Sequence, residues 1–352
     1  MAEGPRTKLA VIVSVCGLTS LYLALAAAAN WAPFESPGNP ARIPSAVSVR
    51  STPTGPMAGP ATAYVRDEGE VIPIDVATGR AGSPIQAGQG PVGFSGIAVT
   101  PDGKTAYVVN YNDGTVIPID LATGRAGTPI QAGQGPAGIA VTPDGKTAYV
   151  TDRNGGTVTP IDLTTGRAGP PIQVGYEPQA VAITTDGKTA YVANFGVNGG
   201  GGVTPIDVAT GRAGTPIRVA AGPVDIAITP DGKTAYVTDD GGVTPIDLAT
   251  GRAGTQVWTG YETFGVAITP DGKTAYVVNY NDATVTPIDV ATGRAGPLIQ
   301  VDVEPFSIAI TPDGKTAYVT DDGGVTPIDV ATGRAGTQIQ VGHGMAAIAI
   351  TS

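Results

Sequence analysis

Short apolar runs alternate with turns rich in Gly, Pro and Asp along most of the chain, and one unit, IAVTPDGKTAYVVN at residues 97–110, sets the pattern. Ile97 to Thr100 is an apolar run bounded by turn residues and too short for a helix, so it predicts a buried strand. Pro101-Asp102-Gly103 predicts a tight turn: proline presets φ, aspartate bonds nearby backbone, and glycine takes the left-handed position. Thr105 to Asn110, centred on Tyr107, reads as a second strand, and Thr115 to Asp120 as a third. Ala122-Thr123-Gly124-Arg125 then turns the chain into a fourth strand, Ala126 to Gln131.

This unit repeats at intervals of about 42 residues, marked by Tyr107, Tyr149, Tyr191, Tyr236, Tyr276 and Tyr318, with a front-truncated copy at Tyr64. Four antiparallel strands in that length match one blade of a β-propeller, whereas a helical solenoid would show a 3.6-residue period. The Tyr-bearing strand occurs seven times. The apolar strand also occurs seven times, the last copy being Ile348 to Thr351. The first blade strand begins where the turn after that last copy should end. The expected fold is therefore all-β, a seven-bladed β-propeller of four-stranded antiparallel blades, closed by pairing the C-terminal strand with the N-terminal strands. Closure removes an open sheet edge.

The tetrads YVVN at Tyr107 and Tyr276, YVAN at Tyr191, YVTD at Tyr149, Tyr236 and Tyr318, and YVRD at Tyr64 make the repeat similar to the YVTN-type β-propeller repeat. The resemblance covers residues 61–352. It implies an exported bacterial protein, with relatives among lactonases, lyases and dehydrogenase subunits. One departure is a proline in every third strand (Pro118 and its equivalents), which removes a ladder hydrogen bond and predicts a bulge or fraying of the third and fourth strands.

The remaining chain divides into residues 1–29 and 30–60. Arg6 and Lys8 precede an apolar and small-residue run from Leu9 to Ala29 that ends in three alanines, the pattern of a signal peptide. The run is also long enough to span a bilayer, so a signal anchor is the alternative and the expected location is extracellular or cell-surface. Residues 30–60 carry seven prolines among Gly, Ser and Thr, an expected disordered spacer. The only cysteine, Cys16, lies in the leader, so no disulfide framework is expected. A net charge of −10 argues against nucleic acid as a partner, leaves the membrane to the N-terminal segment, and a monomer is expected.

The topology sends the PDGK and ATGR turns to one end of the ring, where lysines and arginines balance the aspartates. Loops at the other end vary from blade to blade and gather acids, outnumbering Arg66, Arg153 and Arg218, together with Phe, Tyr and the only histidine. That face is the expected ligand surface. The residues just before the inner strands, near the channel mouth, are the binding candidates: Glu177, Asp225, Glu262, Phe264, Glu304, Phe306 and His343. Converging Glu177, Glu262 and Glu304 would suit a hard cation such as Ca²⁺. Asp239-Asp240-Gly241-Gly242 and Asp321-Asp322-Gly323-Gly324 lack the spacing and closing Glu of an EF-hand and read as turns. The repeated tyrosines read as packing between blades.

Two functions fit. The first is a non-catalytic recognition or scaffold propeller binding a sugar, peptide or surface polymer on the acidic, aromatic face. The alternative is a metal-assisted hydrolase or lyase of the lactonase type, with His343 or Glu304 as base. A single histidine excludes a His-rich zinc or copper site, and no G-x-S-x-G elbow occurs. Catalysis is thus the less expected reading, and no catalytic residue is assigned.

Overall fold

In the computed structural model the described residues are 61–67, 69–88, 96–196, 201–342 and 347–351, and every regular element among them is a β-strand. The leader, the Pro-rich spacer, Phe94 and His343 lie outside the described residues. No helix among the described residues is long and apolar enough to cross a membrane.

Seven antiparallel sheets form the blades of a closed propeller. Blade 2 is representative: its inner strand is Ile97–Val99, its second Thr105–Asn110, its third Thr115–Asp120, and its outer strand comes in two pieces, Arg125–Ala126 and Ile130–Gln131. Blades 1 to 7 are numbered here by their tyrosines, Tyr64, Tyr107, Tyr149, Tyr191, Tyr236, Tyr276 and Tyr318. Blade 1 takes its inner strand, Ile348–Ile350, from the C-terminus. That strand pairs with Thr62–Asp67, matching Ala63 with Ile350, Tyr64 with Ala349 and Val65 with Ile348, which closes the ring.

The third-strand proline does not disturb the third strand. Register across Thr105–Asn110 and Thr115–Asp120 is unbroken, with Tyr107 opposite Pro118. The irregularity falls one strand out. Ile119 faces Ala126 and Val116 faces Ile130, so three residues, Gly127 to Pro129, oppose two, Ile117 and Pro118. The missing proline N–H points toward the outer strand, which responds with one extra residue; the Pro118 carbonyl still accepts Gly127 N–H at 2.7 Å. The bulge expected from the proline is thus present, but in the fourth strand alone.

Alternation fixes what is buried. The isoleucines that follow these prolines (Ile74, Ile119, Ile161, Ile206, Ile246, Ile288, Ile328) are wholly inaccessible. Each such side chain contributes about 1.5–3 kcal/mol of burial. The tyrosines lie between blades as expected. Tyr149 hydroxyl reaches the Val208 carbonyl of blade 4 at 3.4 Å, and Tyr318 of blade 7 reaches the Val76 carbonyl of blade 1 at 3.2 Å.

At one end of the ring each PDGK turn is self-contained. Thr100 Oγ1 donates to Asp102 Oδ1 at 2.6 Å, the same oxygen accepts Lys104 N–H at 3.1 Å, and these hydrogen bonds hold the carboxyl below its ordinary range. Six exposed Lys–Asp pairs at 3.3–3.9 Å repeat there. Internally paired, uniform turns leave little to recognise a ligand. The chemistry that differs between blades is all at the opposite end.

Candidate functional site

The variable end follows one rule. At three interfaces the residue after the YVxN-type tetrad, in blade n, reaches the loop that leads into the inner strand of blade n+1. Between blades 3 and 4 this couples Arg153 to Glu177, with Nη2 at 2.8 Å and Nε at 3.2 Å from one carboxylate oxygen. Between blades 6 and 7 it couples Tyr280 to Glu304, whose carboxylate accepts the phenol proton. Burial, that hydrogen bond, and the charges of Glu304, Glu262 and Asp322 push the Tyr280 phenol well above its usual range. Between blades 5 and 6 it sets Asp240 against Glu262. Burial and the charges of Asp239 and Glu262 push the Asp240 carboxyl up.

The loop residue in each couple adopts a left-handed backbone: φ is 47° at Glu177, 51° at Glu262 and 54° at Glu304. In the loop into blade 5 the same place is taken by Gly222, at φ 71°. A side chain there costs about 1–2 kcal/mol relative to an unstrained backbone. The fold does not need glutamate at this place, since glycine serves in a sister repeat.

The structure sorts the sequence candidates into three groups. Glu262, Phe264 and Glu304 gather around Tyr280: the Phe264 ring meets Tyr280 edge-on at 5.3 Å and Phe306 at 5.1 Å. Phe306 itself is fully buried, so it supports Phe264 from beneath and offers no surface. Asp225 stands apart from them. It is wholly inaccessible, one oxygen accepting Ile226 N–H at 2.8 Å and the other Val266 N–H of blade 6 at 3.0 Å. A carboxylate so used is a tie between blades. Sister repeats place Gly96, Gly138, Ala180, Gly265, Ser307 and Ala347 there, all small because neighbouring inner strands pack closely around the axis.

The expected Ca²⁺ site rests on three of these residues. Glu177, Glu262 and Glu304 do not converge, and among the described residues no group of three carboxylate or imidazole side chains could hold an ion. Glu177 sits in another blade interface and is already bound to Arg153. Ca²⁺ at a shared three-glutamate site is therefore not supported by the geometry.

A cleft of about 470 Å³ opens where Glu177 stands. Its walls are Arg153, Asn154, Gln173, Tyr176 and Glu177, floored by Gly155, Gly156 and Gly175. Tyr176 is 54% exposed, unusual for a ring of that size. Tyr111 of blade 2 donates its hydroxyl to Asn154 Oδ1 at 3.1 Å, and the amide nitrogen reaches the Gln134 carbonyl at 3.4 Å, fixing which end of the carboxamide points which way. Gly175, at φ 158°, lies against Asn194, and a Cβ would fall 2.8 Å from its carboxamide carbon. Two amides, a guanidinium–carboxylate pair and an exposed aromatic face suit a neutral ligand rich in hydroxyls and C–H surface.

Sequence reading missed Arg153, Asn154 and Gln173 as site residues, and passed over Trp258 altogether. The available signal was positional: aligning the residue after each tetrad gives Glu68, Tyr111, Arg153, Phe195, Asp240, Tyr280 and Asp322, a column in which Arg153 is the one cation.

No protein-family model matches the sequence, and no curated protein matches it. Solved structures do match the fold. A chain of hydrazine synthase from Kuenenia stuttgartiensis superposes with a TM-score of 0.70 at 24% identity, over 80% of this chain and 92% of that one. A candidate 6-phosphogluconolactonase from Bacteroides uniformis gives 0.69 at 18% identity, over 83% and 100%. The periplasmic gluconolactonase of Pseudomonas aeruginosa gives 0.65 at 19% identity, over 84% and 99%. At these identities the chain is similar to these proteins in fold, and the fold is a seven-bladed β-propeller.

Proposed function

We propose that the ring is an exported recognition propeller of YVTN type that binds saccharide, carried on a surface polymer, at its variable face. The observation that carries this reading is the cleft between blades 3 and 4. It joins an exposed tyrosine ring, which packs on the C–H face of a sugar, to planar amide and ion-pair groups that exchange paired hydrogen bonds with vicinal hydroxyls. The strained φ of Glu177 supports the same reading, because backbone strain held by a replaceable side chain gathers at functional places. The test is a panel of neutral oligosaccharides presented to the full chain, with Tyr176→Ala beside it. Retention by the wild type and loss by the variant is the expected result. Equal retention by both would overturn the assignment of the cleft.

A second reading, lactone hydrolysis, is favoured by the fold shared with the gluconolactonase of Pseudomonas aeruginosa. Its base would be Glu304, which accepts the Tyr280 proton at the channel mouth. Turnover of an aldonolactone panel, abolished by Glu304→Gln, would establish it and displace the recognition reading; the expected result is no turnover.

A further inference from the structure

The residues that line the cleft between blades 3 and 4 have counterparts between blades 5 and 6 with different chemistry. Asp240 stands in the column of Arg153, Trp258 in that of Gln173, Gly260 in that of Gly175, Tyr261 in that of Tyr176, and Glu262 in that of Glu177. The ion pair is replaced by two acids, and an amide by an indole. Trp258 and Tyr261 meet edge to face at 4.9 Å and 86°, yet remain 56% and 62% exposed. The turn beneath is cleared for the indole: a Cβ on Gly241 would lie 3.0 Å from the Trp258 ring.

Around this aromatic pair the charge has one sign. Asp282 Oδ2 accepts Tyr261 N–H at 3.2 Å on one side, and Asp240 and Glu262 stand on the other. Among the described residues no lysine or arginine forms an ion pair with either Asp240 or Glu262, whereas the sister cleft supplies Arg153 at the same place. A missing cation at a position where a homologous interface holds one is a charge complement awaiting a ligand. Among the described residues no three of these carboxylates are placed so as to hold a bare divalent ion together. The cation must instead come on a skeleton large enough to cover two aromatic rings.

We propose that the exposed surface between blades 5 and 6 binds an amine-bearing sugar, its ammonium between Asp240 and Glu262 and its ring on the Trp258–Tyr261 pair. The inference rests on the saccharide reading of the sister cleft and deepens it: the surface polymer contains amino sugar with free amines. Aromatic faces attract ammonium as well as C–H surface, and carboxylates in a partly desolvated rim add to that attraction.

The experiment titrates the full chain, in mildly acidic buffer, with a β-linked glucosamine tetramer, its fully N-acetylated form and a neutral glucose tetramer. Heat and the fluorescence of Trp258 are both followed. The free-amine tetramer is expected to bind about tenfold more tightly than the acetylated one. Asp240→Asn with Glu262→Gln should erase that preference while leaving the glucose tetramer unaffected, and Trp258→Ala should weaken the free-amine tetramer alone. Equal affinity for both tetramers in the wild type would overturn the inference, as would a preference that survives in the double variant, since the overall negative charge would then explain it. Displacement of the tetramer by spermidine at a lower concentration would assign this surface to a free polyamine and overturn it too. Failure of the saccharide reading looks different: the glucose tetramer then binds neither wild type nor variants.

Discussion

Replacing Glu262 by glycine should make the ring more stable, although it removes a side chain and adds none. Glu262 holds φ 51° in the loop entering blade 6. A non-glycine residue in that region costs about 1–2 kcal/mol, and glycine gives back about 0.5–1 kcal/mol through the larger entropy of its unfolded chain. The net expectation is a gain of about 0.5–1 kcal/mol, or roughly 1–3 °C in Tm for a domain of this size. The one backbone contact of that residue, its carbonyl accepting Tyr280 N–H at 3.0 Å, is unaffected by the change. Among the described residues no ion pair is lost. Glu177→Gly is the internal control, because the same relief of strain at φ 47° is offset by loss of the half-buried pair with Arg153, whose side chains are 15% and 26% exposed. The pair contributes on the order of 1 kcal/mol, so Glu177→Gly should be near neutral. Equilibrium unfolding in guanidinium chloride measures both, with Glu262→Gln beside them to separate charge from backbone. A loss of stability in Glu262→Gly, or equal gains in both glycine variants, would refute the view that this backbone is strained for the sake of its side chain.

Further expectations concern buried carboxylates and ring closure. Asp225→Ala leaves the N–H groups of Ile226 and Val266 without their acceptor and should lower stability by about 2–5 kcal/mol while saccharide binding by the remaining folded protein is unchanged; weakened binding at unchanged stability would restore Asp225 to the ligand site. Asp239 and Asp321 are held above the ordinary carboxyl range chiefly by burial, so in the folded state each resists ionising. Stability from these two groups is therefore greatest below the unfolded pKa near 4 and falls as pH rises above it. Asn110, Asn194 and Asn279 occupy the same column, so Asp239→Asn should stabilise at pH 7 relative to wild type and lose its advantage near pH 3.5; an advantage independent of pH would contradict the burial cause. Tyr318→Phe removes the 3.2 Å bond that ties blade 7 to blade 1 and should cost about 1 kcal/mol in the same unfolding assay. No change would mean that closure rests on the C-terminal strand alone.

The fold was legible because it is written seven times. The alternation around Tyr107 places one side chain between blades, the PDG turn and the ATGR turn send both connections to one end, and Ile348 to Thr351 supplies the strand that the N-terminus lacks. Proline in the third strand announced a bulge or fraying of the third and fourth strands, and only the fourth departs, since the lost N–H matters only to the strand it faces. The site was legible in part. Acids and aromatics on one face could be read from loop positions, whereas their partners could not: Arg153 and Glu177 are 24 residues apart and belong to different blades, so their pairing appears only once the ring closes. Asp225 misled because a carboxylate in a loop looks like a ligand. Its column of small residues showed instead that the place is enclosed. The three positive-φ glutamates could have been found from sequence, by noticing Glu177, Glu262 and Glu304 in a column that holds Gly222, at φ 71°, in the loop into blade 5.

The most direct measurement is the affinity of the full chain and of its Tyr176→Ala variant for one neutral oligosaccharide, by calorimetry at equal stability and salt. Loss of an exposed ring that carries sugar contact should weaken binding by about tenfold or more, with unfolding midpoints matched. Binding of the same strength by both proteins would contradict a saccharide site at the interface of blades 3 and 4.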